Sequence, residues 1–278
     1  MLNWGAMVKN PSTVRIAAVG DIHLGGKGLD PPLQILFGQV SEHADVLALC
    51  GDLTDRGDPD EAKVMARALA TVSVPIVAVL GNHDYECGKE AEVARILADA
   101  GVHVLDGDAH EVLGIGFAGI KGFAGGFGRR ALGPWGERLI KEFVREALNE
   151  ALKLETALGR LRTERKVALL HYSPVAGTVM GEPLEIYPYL GSSRLEEPLT
   201  RYPVDVVFHG HAHHGAPESR TRGDVPVYNV SMVLLQNTFP DRPPFRVVEL
   251  PLARGADDQE AAIPEVTPLR RVTDRPSA

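Results

Sequence analysis

Five short polar clusters in this 278-residue chain bring together the residue types that bind metal ions in proteins. Each cluster follows an apolar run, and together the clusters hold five of the ten histidines. Asp, Asn and His side chains that follow consecutive strands can converge on one point and hold two metal ions, an arrangement typical of phosphoester chemistry. The clusters are Gly20-Asp21-Ile22-His23, Gly51-Asp52-Leu53-Thr54-Asp55-Arg56-Gly57, Gly81-Asn82-His83-Asp84, His171-Tyr172-Ser173-Pro174 and Gly210-His211-Ala212-His213.

The local spacing within the clusters favours convergence of the polar side chains. Asp21 and His23 are two residues apart, so in an extended chain their side chains lie on the same side. His211 and His213 have the same spacing. Asp52 and Asn82 each follow a glycine, which allows the backbone to turn sharply.

The elements that must position these clusters are predicted from the apolar runs. Strands alternate with helical patterns through the first hundred residues, which predicts a parallel sheet buried on both faces. Open α/β sheets place their sites at the carboxyl ends of the strands, where all five clusters lie. The predicted strands of this region are 14–19, 46–50 and 75–80, and the predicted helices are 33–42, 61–72 and 90–100.

The rest of the chain shows further strands, a long helix and two irregular loops. Residues 121–130 form a Gly-rich loop, and residues 178–191 form a second loop that contains Pro, Gly and Tyr. No linker is evident, so residues 1–253 are predicted as one domain, followed by a polar tail, 254–278, that is either poorly ordered or packed on a partner. The predicted strands are 102–104, 111–113, 115–120, 167–170, 204–208, 225–230 and 245–250, and the predicted helices are 136–161 and 192–201.

The composition excludes several classes of partner. The net charge of -8 argues against an extended nucleic-acid groove or an acidic membrane surface. Two cysteines, Cys50 and Cys87, do not make a disulfide framework. No apolar stretch is long enough to span a bilayer, and residues 1–9 lack the apolar core of a signal peptide. We therefore expect a cytoplasmic protein with no membrane partner.

The five clusters, in this order, resemble the motifs of the calcineurin-like metallophosphoesterase superfamily. Those motifs run Asp-x-His, Gly-Asp-x-x-Asp-x-Gly, Gly-Asn-His-Asp/Glu, His and Gly-His-x-His, and each has its counterpart between Gly20 and His213. One departure is Leu170, which stands where the family often has Gly before the fourth histidine. The resemblance implies an α/β fold, a four-layer α/β/β/α sandwich with two mixed sheets face to face, flanked by helices, and a dinuclear metal centre.

The resemblance also implies a role for each motif residue. Two divalent ions, Mn, Fe or Zn, are expected, because carboxylate and imidazole ligands suit these metals. His83 is similar to the family's catalytic histidine, and Asp84 looks like the residue that orients it. The implied ligands are Asp21, His23 and His213 for one ion, Asn82, His171 and His211 for the other, and Asp52 as the bridging carboxylate.

The chemistry implied by such a centre is phosphoester hydrolysis. A hydroxide shared by two ions about 3.5–4 Å apart attacks phosphorus in line with the leaving group. The two ions outweigh Asp21, Asp52 and the hydroxide by about one positive charge, so the centre attracts a phosphate ester even in an acidic protein. His83 then protonates the leaving oxygen or stabilises charge on the phosphate. The expected substrate is a small phosphodiester or phosphomonoester.

Several residues near the motifs have two interpretations each. Asp55 either holds its loop or supports a ligand. Arg56 is either an exposed loop residue or a phosphate contact, as the similar Arg is in the phosphoprotein-phosphatase branch. Arg129 and Arg130 follow the Gly-rich loop and either hold substrate or stay solvated. His209 packs in the core or supports a ligand. Tyr172, Tyr187 and Tyr189 either line a pocket for an aromatic group or, as we expect, pack in the core.

Two other functions compete with the hydrolase. A non-catalytic scaffold of the same fold is disfavoured because such members usually lose His83 or a ligand, and none is lost here. A nuclease is disfavoured by the acidic balance, although a short oligonucleotide remains a possible substrate. The sequence leaves open the oligomeric state and the choice between a monoester and a diester.

Overall fold

The strands form two mixed sheets. The computed structural model describes residues 13–25 and 31–252, and the rest of the chain lies outside this part. The first sheet is built from β1 (Thr13–Val19), β2 (Val46–Cys50), β3 (Ile76–Val79), β4 (Val102–Val104) and β11 (Arg246–Pro251). The second contains β5 (Asp108–Val112), β6 (Ile115–Gly119), β7 (Arg165–Leu169), β8 (Val206–His209), β9 (Glu218–Arg220) and β10 (Pro226–Asn229).

Each sheet has a parallel centre and antiparallel edges. The first sheet has the order β11-β1-β2-β3-β4, in which β1 to β4 run parallel and β11 pairs antiparallel with β1. The second has the order β5-β6-β7-β8-β10-β9, with antiparallel pairing of β5 and β9 at the two edges. The parallel centres place the carboxyl ends of the strands that carry the five clusters at one end of each sheet.

The two sheets pack face to face, and helices cover their outer faces. Along β1, Ile16 and Ala18 face the second sheet, where Phe117 and Phe208 share their cluster, whereas Ala17 and Val19 face the helices. This alternation follows from the period of two in a strand. The predicted four-layer α/β/β/α sandwich is therefore confirmed. The helices are α1 (Pro31–His43), α2 (Pro59–Leu69), α3 (Glu90–Asp99), α4 (Arg138–Arg160), α5 (Tyr187–Leu190), α6 (Glu196–Arg201) and α7 (Met232–Thr238).

Local signals explain the bounds of the main helices. Helix α2 begins with Asp58, whose side chain accepts a hydrogen bond from the Asp60 amide, and Pro59 fills the first position. Helix α4 buries one apolar stripe, including Val144, Leu154 and Leu158, against the second sheet. The helical spacing of these apolar residues also predicts the helix from the sequence.

The short elements depart from the sequence-based expectations. The helix predicted for 192–201 is confined to α6, because Ser192 and Ser193 belong to a turn in which the Ser192 amide donates to the Ser173 carbonyl. The strand predicted for 111–113 begins earlier, in β5. Strand β9 was not predicted, because Glu218, Ser219 and Arg220 give no apolar signal, and α7 was missed because its apolar run is short.

One prediction concerns membrane spans, and two concern the chain termini. Within residues 13–25 and 31–252, none of the helices has the length and apolar character required to cross a membrane. The predicted tail, 254–278, and the absence of a signal peptide in residues 1–9 lie outside the described residues.

Candidate metal centre

The structure brings the seven predicted ligand side chains together at the carboxyl ends of the central strands. Asp21 and His23 follow β1, Asp52 follows β2 and Asn82 follows β3. His171 follows β7, and the loop with His211 and His213 follows β8. Both sheets therefore contribute to one cluster, although the most distant of these residues lie 192 positions apart in the chain.

The first set of side chains consists of Asp21, His23 and His213. One ligand atom from each lies within 4.8 Å of the others. His213 Nε2 is 2.9 Å from Asp21 Oδ1, and the rings of His23 and His213 are 5.3 Å apart. These are the three residues that the resemblance assigns to one ion.

The second set consists of Asn82, His171 and His211, with Asp52 beside it. Ligand atoms of Asp52, His171 and His211 lie within 4.8 Å of one another. Asn82 Oδ1 is 2.9 Å from His171 Nε2, and the rings of His171 and His211 are 4.8 Å apart. This set matches the residues predicted for the second ion.

Asp52 lies between the two sets. Its Oδ2 atom is 3.8 Å from His23 Nε2 and 3.4 Å from His171 Nε2, so this oxygen faces one histidine of each set. Its Oδ1 atom accepts a hydrogen bond from the His83 amide at 2.8 Å. This is the placement that a bridging carboxylate requires.

The loops reach this geometry through left-handed backbone rather than an extended chain. Asp21, His23, Asp52 and His211 have φ values of 56°, 48°, 49° and 71°. Asp21 and His23 therefore do not have the predicted extended conformation, because β1 ends at Val19. The loop after β1 instead runs beside the loop after β2. The Asp21 amide donates to the Gly51 carbonyl and the His23 amide to the Asp52 carbonyl. A left-handed non-glycine residue is strained, and such strain is common at functional sites.

Two glycines allow the carboxylates to approach the backbone. A Cβ atom on Gly81 would collide with Asp52 Oδ1, and a Cβ atom on Gly210 would collide with Asp21 Oδ2. Both glycines belong to motifs that the sequence singled out. Their role is to admit a carboxylate beside the main chain.

The donor set fits divalent metal ions. Asp21 and Asp52 are each 1% exposed, so both carboxylates are held in the interior beside imidazole nitrogens. Within the described part of the chain, the buried Nε2 atom of His23 has no hydrogen-bond partner. A buried polar atom without a partner is costly, and coordination of a metal would satisfy it. Oxygen and nitrogen ligands of this kind suit Mn, Fe and Zn.

Backbone carbonyls orient two of the histidines. The Nδ1 atom of His171 is 3.0 Å from the Cys50 carbonyl oxygen, so the Nδ1 proton points outward and Nε2 faces the cluster. The Nε2 atom of His211 is 3.2 Å from the Tyr189 carbonyl oxygen, which leaves Nδ1 as the free nitrogen of that ring. Such contacts select the tautomer with which a histidine binds a metal.

Charge inside the cluster shifts the pKa of its members. Burial lowers the pKa of His171, but the adjacent Asp52 carboxylate outweighs burial and raises this pKa to about 9. Burial raises the pKa of Asp52, yet its interaction with His171 holds the value below the usual range. Burial is also the main reason why the pKa of His211 falls to about 3. Asp52 is therefore an anion at neutral pH, as a metal ligand must be.

His83 lies at the edge of the cluster. Its ring is 4.5 Å from that of His23, and its Nδ1 atom is 2.7 Å from the Asp55 carbonyl oxygen. Because a carbonyl only accepts, Nδ1 must donate, which leaves Nε2 to exchange a proton with a ligand. Ligand atoms of His23, Asp55 and His83 also lie within 4.8 Å of one another. The side chain of Asp55 thus lies beside two histidines of the cluster, and its carbonyl holds the His83 ring.

The structure corrects the predicted role of Asp84. Its carboxylate forms hydrogen bonds with the loops after β2 and β3 rather than with the His83 ring. The Asp55 carbonyl orients that ring instead. The side chain of Asp84 is fully buried. It accepts hydrogen bonds from the amides of Leu53, Thr54 and Gly81 and from the Thr54 hydroxyl. Burial raises the pKa of Asp84, and these donors oppose that effect. Asp84 therefore fixes the two loops that carry Asp52 and Asn82.

This role predicts a large loss of stability for Asp84→Ala. The substitution leaves buried donors on Thr54 and Gly81 without an acceptor, and each such group costs about 1–3 kcal/mol. We expect the free energy of unfolding, measured by urea denaturation, to fall by about 3 kcal/mol or more. Asp60→Ala is the matched control, because Asp60 is exposed and pairs only with Lys63 among its described contacts. A loss below about 1 kcal/mol for Asp84→Ala would contradict the assigned role.

Three residues without a motif signal support the loop after β8. Asn229 donates from Nδ2 to the Ala212 carbonyl at 2.7 Å and accepts from the Ser231 amide. His209 is buried, with Nε2 2.8 Å from the Thr178 hydroxyl and Nδ1 2.8 Å from the Gly210 carbonyl. Burial lowers the pKa of His209 to about 4, so this ring is neutral and supports the loop from the core. Asn229, at the end of β10, and Thr178, in a short 3-10 helix, were missed because a single polar residue outside a motif carries no sequence signal.

The predicted substrate residues lie on the surface around the cluster. Arg56 is exposed, with Nε 3.8 Å from Asp55 Oδ2. Arg129 and Arg130 are exposed in a short 3-10 helix, Gly128–Arg130. Their described contacts do not reach the seven ligand side chains. Each remains a candidate for contact with the substrate.

The three tyrosines differ in burial. Tyr172 is 8% exposed and its ring lies 4.4 Å from that of His211, as core packing predicts. Tyr187 is half-buried. Tyr189 is 61% exposed, so the expectation of core packing is wrong for this residue, whose carbonyl oxygen contacts His211 Nε2.

Comparison with known proteins places these motifs in a known context. The family model described as calcineurin-like phosphoesterase matches residues 14–215, a range that contains all seven ligand candidates. A comparison with curated proteins finds no match.

Solved structures share the fold. A phosphopantetheinyl hydrolase from Mycobacterium tuberculosis superposes with a TM-score of 0.62 at 14% identity, covering 88% of this chain and 99% of its own. The protein TT1561 from Thermus thermophilus superposes with a TM-score of 0.51 at 16% identity, covering 80% of this chain and 91% of its own. At these identities the likeness concerns the architecture alone.

Proposed function

The chain belongs to the calcineurin-like phosphoesterase family, and from this membership we propose that it is a dinuclear metal-dependent hydrolase of small phosphate esters. The observation that carries the proposal is the position of Asp52, whose Oδ2 atom faces His23 in one ligand set and His171 in the other. One carboxylate between two sets of ligands is the arrangement expected of a bridged pair of ions.

The proposed ligands divide as the motifs imply. Asp21, His23 and His213 hold one ion, Asn82, His171 and His211 hold the other, and Asp52 contacts both. When bound, two divalent ions supply an activated water and a clamp for the phosphoryl oxygens. The protein's part is to hold these donors rigidly, which it does through the carbonyls of Cys50 and Tyr189 and the buried carboxylate of Asp84.

His83 is proposed to act on the ester itself. The Asp55 carbonyl fixes Nδ1 as a donor, so a protonated His83 presents an N–H at Nε2 and a neutral His83 presents a lone pair. In the protonated form, Nε2 can transfer its proton to the leaving oxygen or donate a hydrogen bond to a phosphoryl oxygen. Arg56 is exposed next to Asp55 and is proposed to contact the phosphate.

Metal dependence is the direct test of the proposal. We expect the purified full chain to hydrolyse 4-nitrophenyl phosphate or bis(4-nitrophenyl) phosphate with Mn²⁺, Fe²⁺ or Zn²⁺, and to lose activity in EDTA, because the hydrolytic water needs the ions. Release of 4-nitrophenolate is followed by absorbance, and metal content by mass spectrometry of the same samples. Restored activity on adding metal back is the control for irreversible unfolding. Bound metal without turnover of either ester would contradict the proposal and favour a non-catalytic role.

A further inference from the structure

An apolar cavity lies behind the loop that carries His211 and His213. Its volume is about 470 Å³, and its walls come from the Gly-rich loop, the start of α4 and the segment around α5. Among the described residues that line it, Arg130 alone is charged. The volume is typical of a pocket for a small organic group.

The cavity is joined to the metal centre by direct contacts. Phe127 and Tyr187, which line it, pack around the buried cluster of Val179, Leu190 and Ala212, and Ala212 lies between the two histidines. Tyr189 lines the cavity and its carbonyl oxygen lies 3.2 Å from His211 Nε2. Ala212 and the Tyr189 backbone therefore form a single layer of residues between the cavity and the proposed ligands.

Backbone hydrogen bonds hold the walls of the cavity together. The Gly125 amide donates to the Pro188 carbonyl at 2.8 Å, and the Gly126 amide to the Gly191 carbonyl at 2.9 Å. The Leu132 amide in turn donates to the Gly125 carbonyl at 2.8 Å. The positive φ of Gly126, 83°, explains why the loop is rich in glycine. The cavity is thus a formed feature of the fold.

The walls expose apolar surface that residues 13–25 and 31–252 leave uncovered. Leu184 is 74% exposed and Tyr189 is 61% exposed, and both line the cavity. Exposed apolar surface of this kind, next to a site, is typical of ligand binding.

We propose that this cavity binds the apolar organic group of the phosphate ester while the phosphate itself lies at the metal centre. The inference rests on the proposed function, because the metal centre fixes the phosphate. The substrate class is then an alkyl or aryl phosphate ester with a group about as large as the cavity. A bare sugar phosphate or inorganic pyrophosphate fills the cavity poorly.

A chain-length series tests this proposal. The substrates are alkyl 4-nitrophenyl phosphodiesters from methyl to octyl, which keep the leaving group constant, used below their micelle concentrations. Because each buried methylene stabilises the complex, we expect kcat/KM to rise by about two- to fourfold per methylene until the cavity is full. A benzyl ester compared with the hexyl ester distinguishes an aryl from an alkyl preference. In parallel, the Kd values of octyl phosphate and methyl phosphate are measured by calorimetry.

Two surface variants make the test specific. Leu184→Ser combined with Tyr189→Ser removes apolar wall, and because both side chains are largely exposed, folding should survive. We expect this double variant to flatten the chain-length dependence. Leu152→Ser is the matched control, since Leu152 is 59% exposed on α4 and does not line the cavity. It should keep the wild-type dependence.

The outcomes separate this proposal from the proposed function. Hydrolysis of every ester with no dependence on chain length, and equal binding of octyl and methyl phosphate, would overturn the cavity assignment while leaving the hydrolase intact. No hydrolysis, but tighter binding of octyl phosphate that the double variant abolishes, would support the cavity and refute the hydrolase. If the series is flat and the wild type, but not the double variant, sediments with phosphatidylcholine vesicles or self-associates, the apolar wall binds a membrane or a second copy instead of the ester. That result also overturns the cavity assignment.

Discussion

Asp52→Asn should remove most of the bound metal and nearly all of the hydrolytic activity. The Oδ2 atom of the carboxylate faces both ligand sets, so replacing it with an uncharged NH₂ group weakens both ion sites, while Oδ1 of the asparagine can still accept from the His83 amide. Replacing a residue that only orients a ligand usually costs about 10–100-fold in metal affinity, and a shared ligand should cost more than about 100-fold. We expect kcat/KM to fall by a similar or larger factor.

Metal content after gel filtration, together with kcat/KM, checks this prediction. Asp60→Asn is the matched control, because it makes the same chemical change on an exposed carboxylate of α2. It should leave both quantities unchanged. Normal occupancy of two ions in Asp52→Asn would remove the bridging role and, with it, the main argument for a dinuclear centre.

His83→Ala should have the opposite profile, with metal retained and turnover lost. His83 is outside both ligand sets and is anchored through Nδ1 to the Asp55 carbonyl at 2.7 Å. Its absence removes the group that exchanges a proton with the ester, and general acid catalysis typically contributes about 10²–10⁴-fold. We expect kcat to fall within that range while metal content stays near the wild-type value.

A leaving-group series distinguishes a proton donor from a structural residue. If His83 protonates the leaving oxygen, His83→Ala should lose most activity toward esters of poorly acidic alcohols and least toward 4-nitrophenyl esters, which leave without a proton. The matched control is His43→Ala, since His43 is exposed at the end of α1 and bonds only to Gln39 in the described contacts. An equal loss for all leaving groups, or loss of metal, would show that His83 supports the centre instead.

Much of the fold was predictable because its central strands are buried on both faces. The apolar runs that became β1, β2 and β3 are continuous and short, and each ends at a polar cluster. Surface elements were less predictable. Strand β9 is exposed at a sheet edge, where any polar residue can pair through its backbone, so its sequence carries no period.

The sequence by itself identified the residues of the proposed metal centre. Their types are fixed by coordination chemistry, and their places are fixed by strand ends, so both survive as short local motifs. Those motifs identify all seven ligand candidates, and the structure brings their side chains together: Asp21, His23, Asp52, Asn82, His171, His211 and His213.

Only the tertiary structure decided how the site is supported and what surrounds it. Asp84 bonds across to the loop of Thr54, 30 positions away, and His83 takes its orientation from Asp55, 28 positions away. The apolar cavity is assembled from three separate segments. Contacts between distant segments depend on how the layers pack, and one residue type at one position cannot encode them. Sequence motifs therefore specify reactive groups, whereas packing specifies their orientation and the shape that selects a substrate.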